Sequence, residues 1–550
     1  MATMNKKRGA MKTDTNKTMN HEGSVVHQLN SLEELFSRVL GSFFGESTHY
    51  EKRNAEDDFK KIEQLISELP DEDIEYALKV ARIGREYNMI QYPLAILTAC
   101  FNDDRFKGED FLDEETGKNK LQTYNQYIVR RCKDIQDILA MQMNVYGFDT
   151  TTVKNKSHRQ RPLPSQLRKA LTHKLETFNE YQLSKSLGES REVSLADCVK
   201  LLRPNPEKAR VSKNFYRDVI EGNVHFGGEV KQVQSELSKS KNKNNTSTKE
   251  DVRESIDTST VMAIVKNLVA LEREGLFEDI NVVDSIVNKL TNKKEIHKSR
   301  LLPFRFYSAY EEVSNIPRNS MGKRRIMDAL VEALDLSIDN LQNIEGYSAI
   351  LIDRSGSMRH SVSSASNVTA DIVACMLGAI MFKKGIADVY VFASSCRQVT
   401  NISTKSTVMD IMHSIRTTYV GAGTYLDIAL NHLLNNQGTK YDNLIILSDN
   451  DCYSSNKTVF NLHSWGVSSI GCDDALNKLF ENKVIKKLYL DNLLGNSFSI
   501  MNTDDYRKNL ITGFSERVVD IINVYSSIGS NASNVRKVID SIVETLPTNK

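Results

Sequence analysis

Two carboxylates and three hydroxyls stand in this chain just past short apolar runs or in a glycine-rich turn. The run ILI is followed by Asp353, then by Ser355 and Ser357 with Gly356 between them. Thr424 lies in the glycine-rich stretch GAGTYL, and Asp449 in LSDND directly follows the run NLIILS. Oxygen donors with few carboxylates suit a hard divalent cation, and Mg²⁺ best, because it retains several waters. Gly356, Gly421 and Gly423 allow the tight turns needed to aim those oxygens. Asp451, His360 and Asp427 lie nearby and read as surface or capping groups. Such a site coordinates rather than catalyses. The chain has no phosphate-binding loop of the Gly-x-x-x-x-Gly-Lys type, no His-Glu-x-x-His and no Ser/His/Asp constellation. The expectation is a protein that is not an enzyme.

Charge supplies a second chemistry. The chain carries a formal charge of +1 over 550 residues, but the charge is unevenly spread. Residues 1–152 hold 20 Lys and Arg against 26 Asp and Glu, whereas residues 153–218 hold 15 against 7. A basic island in an otherwise balanced chain is the footprint expected for a polyanion partner, although a solvated helical face gives the same count. Arg159 and Arg161 precede PLPSQLRKALTHKLETF, in which Leu167, Leu171, Leu175 and Phe178 form one apolar stripe. Lys169 and His173 then fall on the opposite face, with Arg168 and Lys174 flanking the stripe. The next basic helix and its proline break carry Lys200, Arg203, Lys208, Arg210, Lys213 and Arg217. Cations on successive helix ends can follow a phosphate backbone, and their binding is sensitive to salt.

The elements that must position these groups divide into two kinds. From residue 30 to 345, SLEELFSRVLGSFF, DFKKIEQLISEL, DIEYALKVARIGREY, YPLAILTACF and NKLQTYNQYIVRRCKDIQDILAMQM repeat apolar residues three and four apart. Serial amphipathic helices of this sort build a HEAT-like α-solenoid. Residues 231–250 are polar and rich in Lys, Asn, Ser and Thr, and read as a flexible insertion. Beyond 345 the period changes. YSAILI, DVYVFA, NLIILS and GVSSIG read as buried strands, with helices between them. That alternation is a doubly wound parallel sheet, whose site lies at the carboxyl ends of the strands. NASNVRKVIDSIVETL reads as a last helix.

Asp353-x-Ser355-x-Ser357, Thr424 and Asp449 together resemble the metal-ion-dependent adhesion site of von Willebrand factor A domains. The resemblance implies direct contact from the three hydroxyls, with Asp353 and Asp449 acting largely through water, and an open position that takes a carboxylate from a partner. The stretches PLPSQLRKAL, FNEYQLSKSL and VSLADCVKLLRPNP resemble the TROVE domain, the helical-repeat ring of Ro autoantigen proteins. TSTVMAIVKNLVALEREGLFED and KSRLLPFRFYSAYEEV resemble its later elements. By position, Arg168 and Lys169 match the family's basic pair, and Lys200 and Arg203 fall in its next basic helix; Arg161 and Lys174 are chosen on charge alone.

The expected architecture is a disordered tail at 1–27, a TROVE helical-repeat ring at 28–344, an A domain at 345–528 and a helix at 529–550. What the resemblance implies is a monomeric ring that binds small noncoding, Y-like RNA and single-stranded 3′ ends of misfolded RNA, with an exoribonuclease as a protein partner. The rival expectation is an adaptor that binds an acidic partner protein through its metal site. Seven singly spaced cysteines suit a reducing compartment. With no apolar run long enough to cross a bilayer and no secretory signal, the expected location is the cytoplasm, away from membranes.

Overall fold

The structure, a computed structural model, describes residues 17–19, 25–42, 44–46, 53–113, 117–147, 163–187, 191–224, 249–362, 368–436, 438–451, 472–494, 498–501, 505–513, 517–528 and 535–547. The first half is helical. Helices α1 (Ser31–Gly41), α2 (Ala55–Glu68), α3 (Ile74–Glu86) and α4 (Gln91–Asn102) open the array. Asn30 and Asn54 start α1 and α2 with reciprocal capping boxes to Glu33 and Asp57. The long amphipathic run at 119–143 breaks into α5 (Lys120–Ile128) and α6 (Cys132–Tyr146). The break is held by Asp134, whose Oδ2 accepts the amides of Arg130 and Arg131 at 2.9 and 3.0 Å and the Arg85 guanidinium at 2.7 Å.

Helices α7 (Ser165–Glu176), α8 (Glu180–Ser184), α9 (Leu195–Leu202) and α10 (Phe215–Glu221) carry the basic island. Residues 231–248 of the insertion lie outside the described residues. Then come α11 (Lys249–Thr258), α12 (Val261–Arg273), α13 (Ile280–Leu290), α14 (Lys293–Ser299), α15 (Pro303–Ser314) and α16 (Met321–Ser337). The apolar stripes read from sequence are the buried ones: Leu167, Leu171, Leu175 and Phe178 are all at most 4% exposed.

The second half is a mixed six-stranded sheet of order β5-β4-β3-β6-β7-β9, parallel except for β5. Its strands are β3 (Tyr347–Asp353), β4 (Ile386–Phe392), β5 (Cys396–Gln398), β6 (Tyr441–Ser448), β7 (Ile485–Asn492) and β9 (Lys508–Thr512). Helices α17 (Ala370–Lys384), α18 (Val408–Thr417), α19 (Leu426–Asn435), α20 (Cys472–Glu481) and α21 (Val518–Ile528) accompany it. Alternate residues of β3 serve opposite faces. Ile350 and Ile352 join a core with α17, whereas Ala349 and Leu351 join one with α19 and α20. Continuous apolar strands therefore follow from burial on both faces. GVSSIG lies outside the described residues.

Where the polar amino-terminal stretch reads as a tail, Lys17–Met19 and Val25–Gln28 form strands β1 and β2. β2 pairs antiparallel with β8 (Phe498–Ser499), next to the large sheet. The last helix, α22 (Val535–Thr545), packs against α3 and α21.

Both ends of the helical array meet on the α/β domain. At the far end, Asp335 of α16 accepts the Val408 amide at 2.9 Å and the Lys383 ammonium at 3.3 Å. At the near end, Ser37 and Thr512 share a 2.8 Å hydrogen bond, and Asp540 of α22 accepts from Tyr76 and Lys79 of α3. The apolar core runs without interruption from α1 through the repeats to one face of the sheet and α22. The α/β domain thus closes the array into a ring. Among the described residues no helix is long and apolar enough to cross a membrane.

Candidate functional sites at the sheet rim and on the basic helices

At the rim, Asp353 ends β3 and is fully buried. Its Oδ1 accepts the Ser355 amide at 2.8 Å, and its Oδ2 accepts the Ser448 hydroxyl at 2.7 Å. The hydroxyls of Ser355 and Ser357 lie 3.0 Å apart. Asp449 follows β6 and is also fully buried. Thr424 is 7% exposed at the entrance to α19.

The two loops are held together from both sides. The Gly356 amide donates to the Ala422 carbonyl at 3.2 Å, and Ser394 Oγ accepts the amides of Ala422 and Gly423 at 3.3 and 2.9 Å. Gly421 has φ +92, and a β-carbon there would sit 2.7 Å from that of Ser394, so glycine is required on two counts. Behind the loop, Arg354 and Arg416 both pair with Asp371.

Burial first, and the Asp449 charge second, push the Asp353 carboxyl well up from its usual range. Two buried carboxylates close enough for one to raise the other, beside the paired hydroxyls of Ser355 and Ser357, are a donor set that suits a divalent cation, whose charge would relieve both effects. The donor set is poor in carboxylates. Accordingly, no group of three or more His, Cys, Asp or Glu side chains able to hold a metal occurs among the described residues.

Sequence reading missed Ser448, although it directly precedes Asp449; its hydroxyl fixes the Asp353 carboxylate. Asp451 and Asp427, read as surface or capping groups, are buried, Asp427 in the first turn of α19. His360 is exposed.

The basic residues gather around α7. The Thr172 hydroxyl donates to the Leu202 carbonyl at 3.0 Å, which sets the end of α9 beside the middle of α7. One turn on, Glu176 accepts the Asn205 amide through its carboxylate at 2.8 Å and the Arg210 amide through its carbonyl at 3.2 Å. Arg203, in the left-handed conformation that ends α9, is therefore brought next to the α7 face that bears Arg168 and Lys169. Arg168, Lys169, Lys200, Arg203, Lys208, Arg210 and Lys213 are all exposed. None of them makes an ion pair among the described residues. Of the acids at the seam, Glu176 accepts the Asn205 amide and Glu180 the Ser212 amide, while Glu207 is exposed beside Lys208.

Lys174 is placed differently. It is half-buried, and its Nζ donates to the Gln126 carbonyl of α5 at 2.9 Å. Burial, helped by the neighbouring Arg130, pushes its pKa down to about 8. Lys174 is a strut between α5 and α7 rather than an open cation. Arg159 and Arg161 lie outside the described residues.

A repeat array closed through an α/β domain defines the class: a helical-repeat ring protein. A family model of the TROVE domain matches residues 240–354. The crystal structure of the Deinococcus radiodurans Ro (RSR) protein superposes with a TM-score of 0.57 at 16% identity, covering 94% of this chain and all of that one. Proximal thread matrix protein 1 of the mussel byssus aligns with a TM-score of 0.20 at 12% identity, over 40% of this chain and 53% of its own. No curated protein matches the chain by sequence. The chain thus carries a TROVE-domain match over residues 240–354 and shares the fold of that Ro protein.

Proposed function

We propose that the protein is a noncatalytic RNA-binding protein of Ro type. Small noncoding, Y-like RNA and the single-stranded ends of misfolded RNA are its ligands, held on the basic flank of the ring. The observation that carries this reading is the stitching of α9 and the loop after it onto α7, which pools exposed cations that make no ion pair among the described residues. Phosphate contacts of that kind position RNA and contribute affinity that falls with salt.

The rim of the sheet is read as a Mg²⁺ site of the A-domain type. Ser355, Ser357 and Thr424 would contact the ion, and Asp353 and Asp449 would compensate its charge. Bound there, the ion supplies a Lewis-acidic position for an acidic ligand and stiffens the three loops. An exoribonuclease is the protein partner, and the cytoplasm the location, that the resemblance implies.

The test is the double variant Arg168→Ala, Lys169→Ala in a filter-binding assay with a structured RNA over a salt series. We expect binding about tenfold weaker and a log–log salt slope shallower by about 1–2, as for the loss of one or two phosphate contacts. Unchanged affinity and slope would reduce the island to a solvated face and overturn the reading.

A further inference from the structure

Beside the basic seam, α5 and α7 enclose a groove of about 440 Å³ lined by Lys118, Gln122, Thr123, Gln126, Tyr127 and His173. Four of the six come from one face of α5, at the i, i+1, i+4, i+5 spacing that aligns side chains along a helix. The floor is rigid. Lys174 ties α7 to the Gln126 carbonyl, and the Asn125 side-chain amide donates to the Ala170 carbonyl at 3.2 Å. The Tyr127 ring is fixed from beneath by the Arg82 guanidinium, 4.1 Å from its centroid, and Arg82 is itself held by the Pro547 carbonyl.

Five of the six wall side chains keep their hydrogen-bonding groups available among the described residues. The side-chain amides of Gln122 and Gln126, the Thr123 hydroxyl, the Tyr127 phenol and the His173 imidazole make no hydrogen bond to another described residue. No carboxylate lines the groove. Lys169, exposed and unpaired, lies one turn before His173 on the same side of α7.

We propose that this groove is a pocket for one unpaired RNA nucleotide. Its base stacks on Tyr127 and is met at its edge by Gln122 and Gln126, while its phosphate lies between Lys169 and His173. The chemistry is specific to such a ligand. A flat heteroaromatic ring needs a π-face, here one backed by a cation, and paired donor–acceptor amides at its edge. An acidic peptide would need the cations but not the ring and amides. The volume of about 440 Å³ suffices for a single nucleotide. The inference rests on the RNA-binding reading and deepens it: the seam takes the backbone and the groove takes a base.

The experiment uses the full-length protein and fluorescence anisotropy with two probes, a short oligouridylate and an abasic ribose-phosphate oligomer of the same length. We expect the wild type to prefer the base-bearing probe by about tenfold, the scale of one base stacked on an aromatic ring. Tyr127→Leu should lose that preference and leave abasic binding unchanged. Because Tyr127 also packs on Arg82, the double variant Gln122→Ala, Gln126→Ala is the second arm; it should reduce the preference without touching the helix contact. Arg168→Ala with Lys169→Ala should weaken both probes alike. Equal wild-type binding of the two probes, or a full preference in the glutamine double variant, would overturn the pocket while leaving RNA binding in place. Binding of neither probe would overturn both.

Discussion

Tyr76 donates its phenolic proton to Asp540 across 2.7 Å, joining the third helix of the array to the last helix of the chain, 464 residues on. Lys79 reaches the other oxygen of the same carboxylate at 2.6 Å, and Arg536 pairs with Asp73 one turn away. Burial, and then the Asp540 carboxylate, push the Tyr76 phenol up to about 12. These contacts fasten the near end of the ring, and the apolar residues beneath them decide how firmly.

The carboxylate of Asp540 is 39% exposed, so its ion pair with Lys79 is screened. Its loss should cost on the order of 1 kcal/mol. Ile539, fully buried beside it, should cost about 2–5 kcal/mol on truncation to alanine. We therefore expect Ile539→Ala to lower the thermal midpoint several-fold more than Asp540→Ala. Hydrogen exchange should show α3 and α22 opening together in the isoleucine variant. A larger loss for Asp540→Ala would mean that the polar staple, not the apolar seal, holds the ring.

This closure was not legible in the sequence, and the reason is physical. Periodicity reports which face of a helix is buried, so the stripe of Leu167, Leu171 and Leu175 and the strand Tyr347–Asp353 could be read directly. It does not report what covers that face. The placing of Asp353 and Asp449 was legible because each lies at the carboxyl end of an apolar strand, and β3 and β6 are parallel neighbours; Thr424 follows a helix and leaves no such strand signal. β2 was not, because a four-residue strand whose partner is Phe498–Ser499 leaves no local pattern. The burial of Lys174 escaped for the same reason. Its ammonium is fixed by a carbonyl on another helix, beyond the reach of a helical wheel.

The rim cradle predicts a stability effect of the cation itself. At Mg²⁺ about a hundredfold above its dissociation constant, the folded state should gain about 2.7 kcal/mol, read as a raised thermal midpoint. Asp353→Asn keeps the shape of the side chain but removes one of the two charges. In that variant the midpoint should not respond to Mg²⁺ or to a chelator. A wild-type midpoint that ignores both would remove the cation from the rim.

Asp491 tests burial without a cation. It is fully buried in β7, and burial pushes its carboxyl far above the usual range, with the Gly513 amide opposing. A carboxyl whose pKa is higher folded than unfolded stabilises the fold below its unfolded value and loses that contribution as pH rises. Asp491→Asn, which never ionises, should therefore match the wild type near pH 4. It should exceed it increasingly toward pH 8, by on the order of 1 kcal/mol or more. Denaturant midpoints across that range check the sign. An advantage that shrinks as pH rises would contradict it.

Lys169 and Lys174 stand five residues apart on α7 and should behave as opposites. Lys169 is exposed and unpaired, so Lys169→Ala should weaken RNA binding several-fold with little change in stability. Lys174 spends a donor on the Gln126 carbonyl and is partly desolvated, so Lys174→Met should leave affinity within about twofold, the retained methylene stem keeping most of the packing. Its stability effect carries a pH signature. The folded pKa lies near 8, below that of an exposed lysine, so between about 8 and 10.4 the unfolded chain holds a proton that the folded one has released. Wild-type stability should gain from this group as pH rises through that window, and Lys174→Met should lack the gain. Carbon-detected NMR of the lysine ε-methylenes gives the midpoint directly. A Lys174 that titrates with the exposed lysines would place its ammonium in solvent, where it would join the exposed cations of the seam instead of bracing the groove.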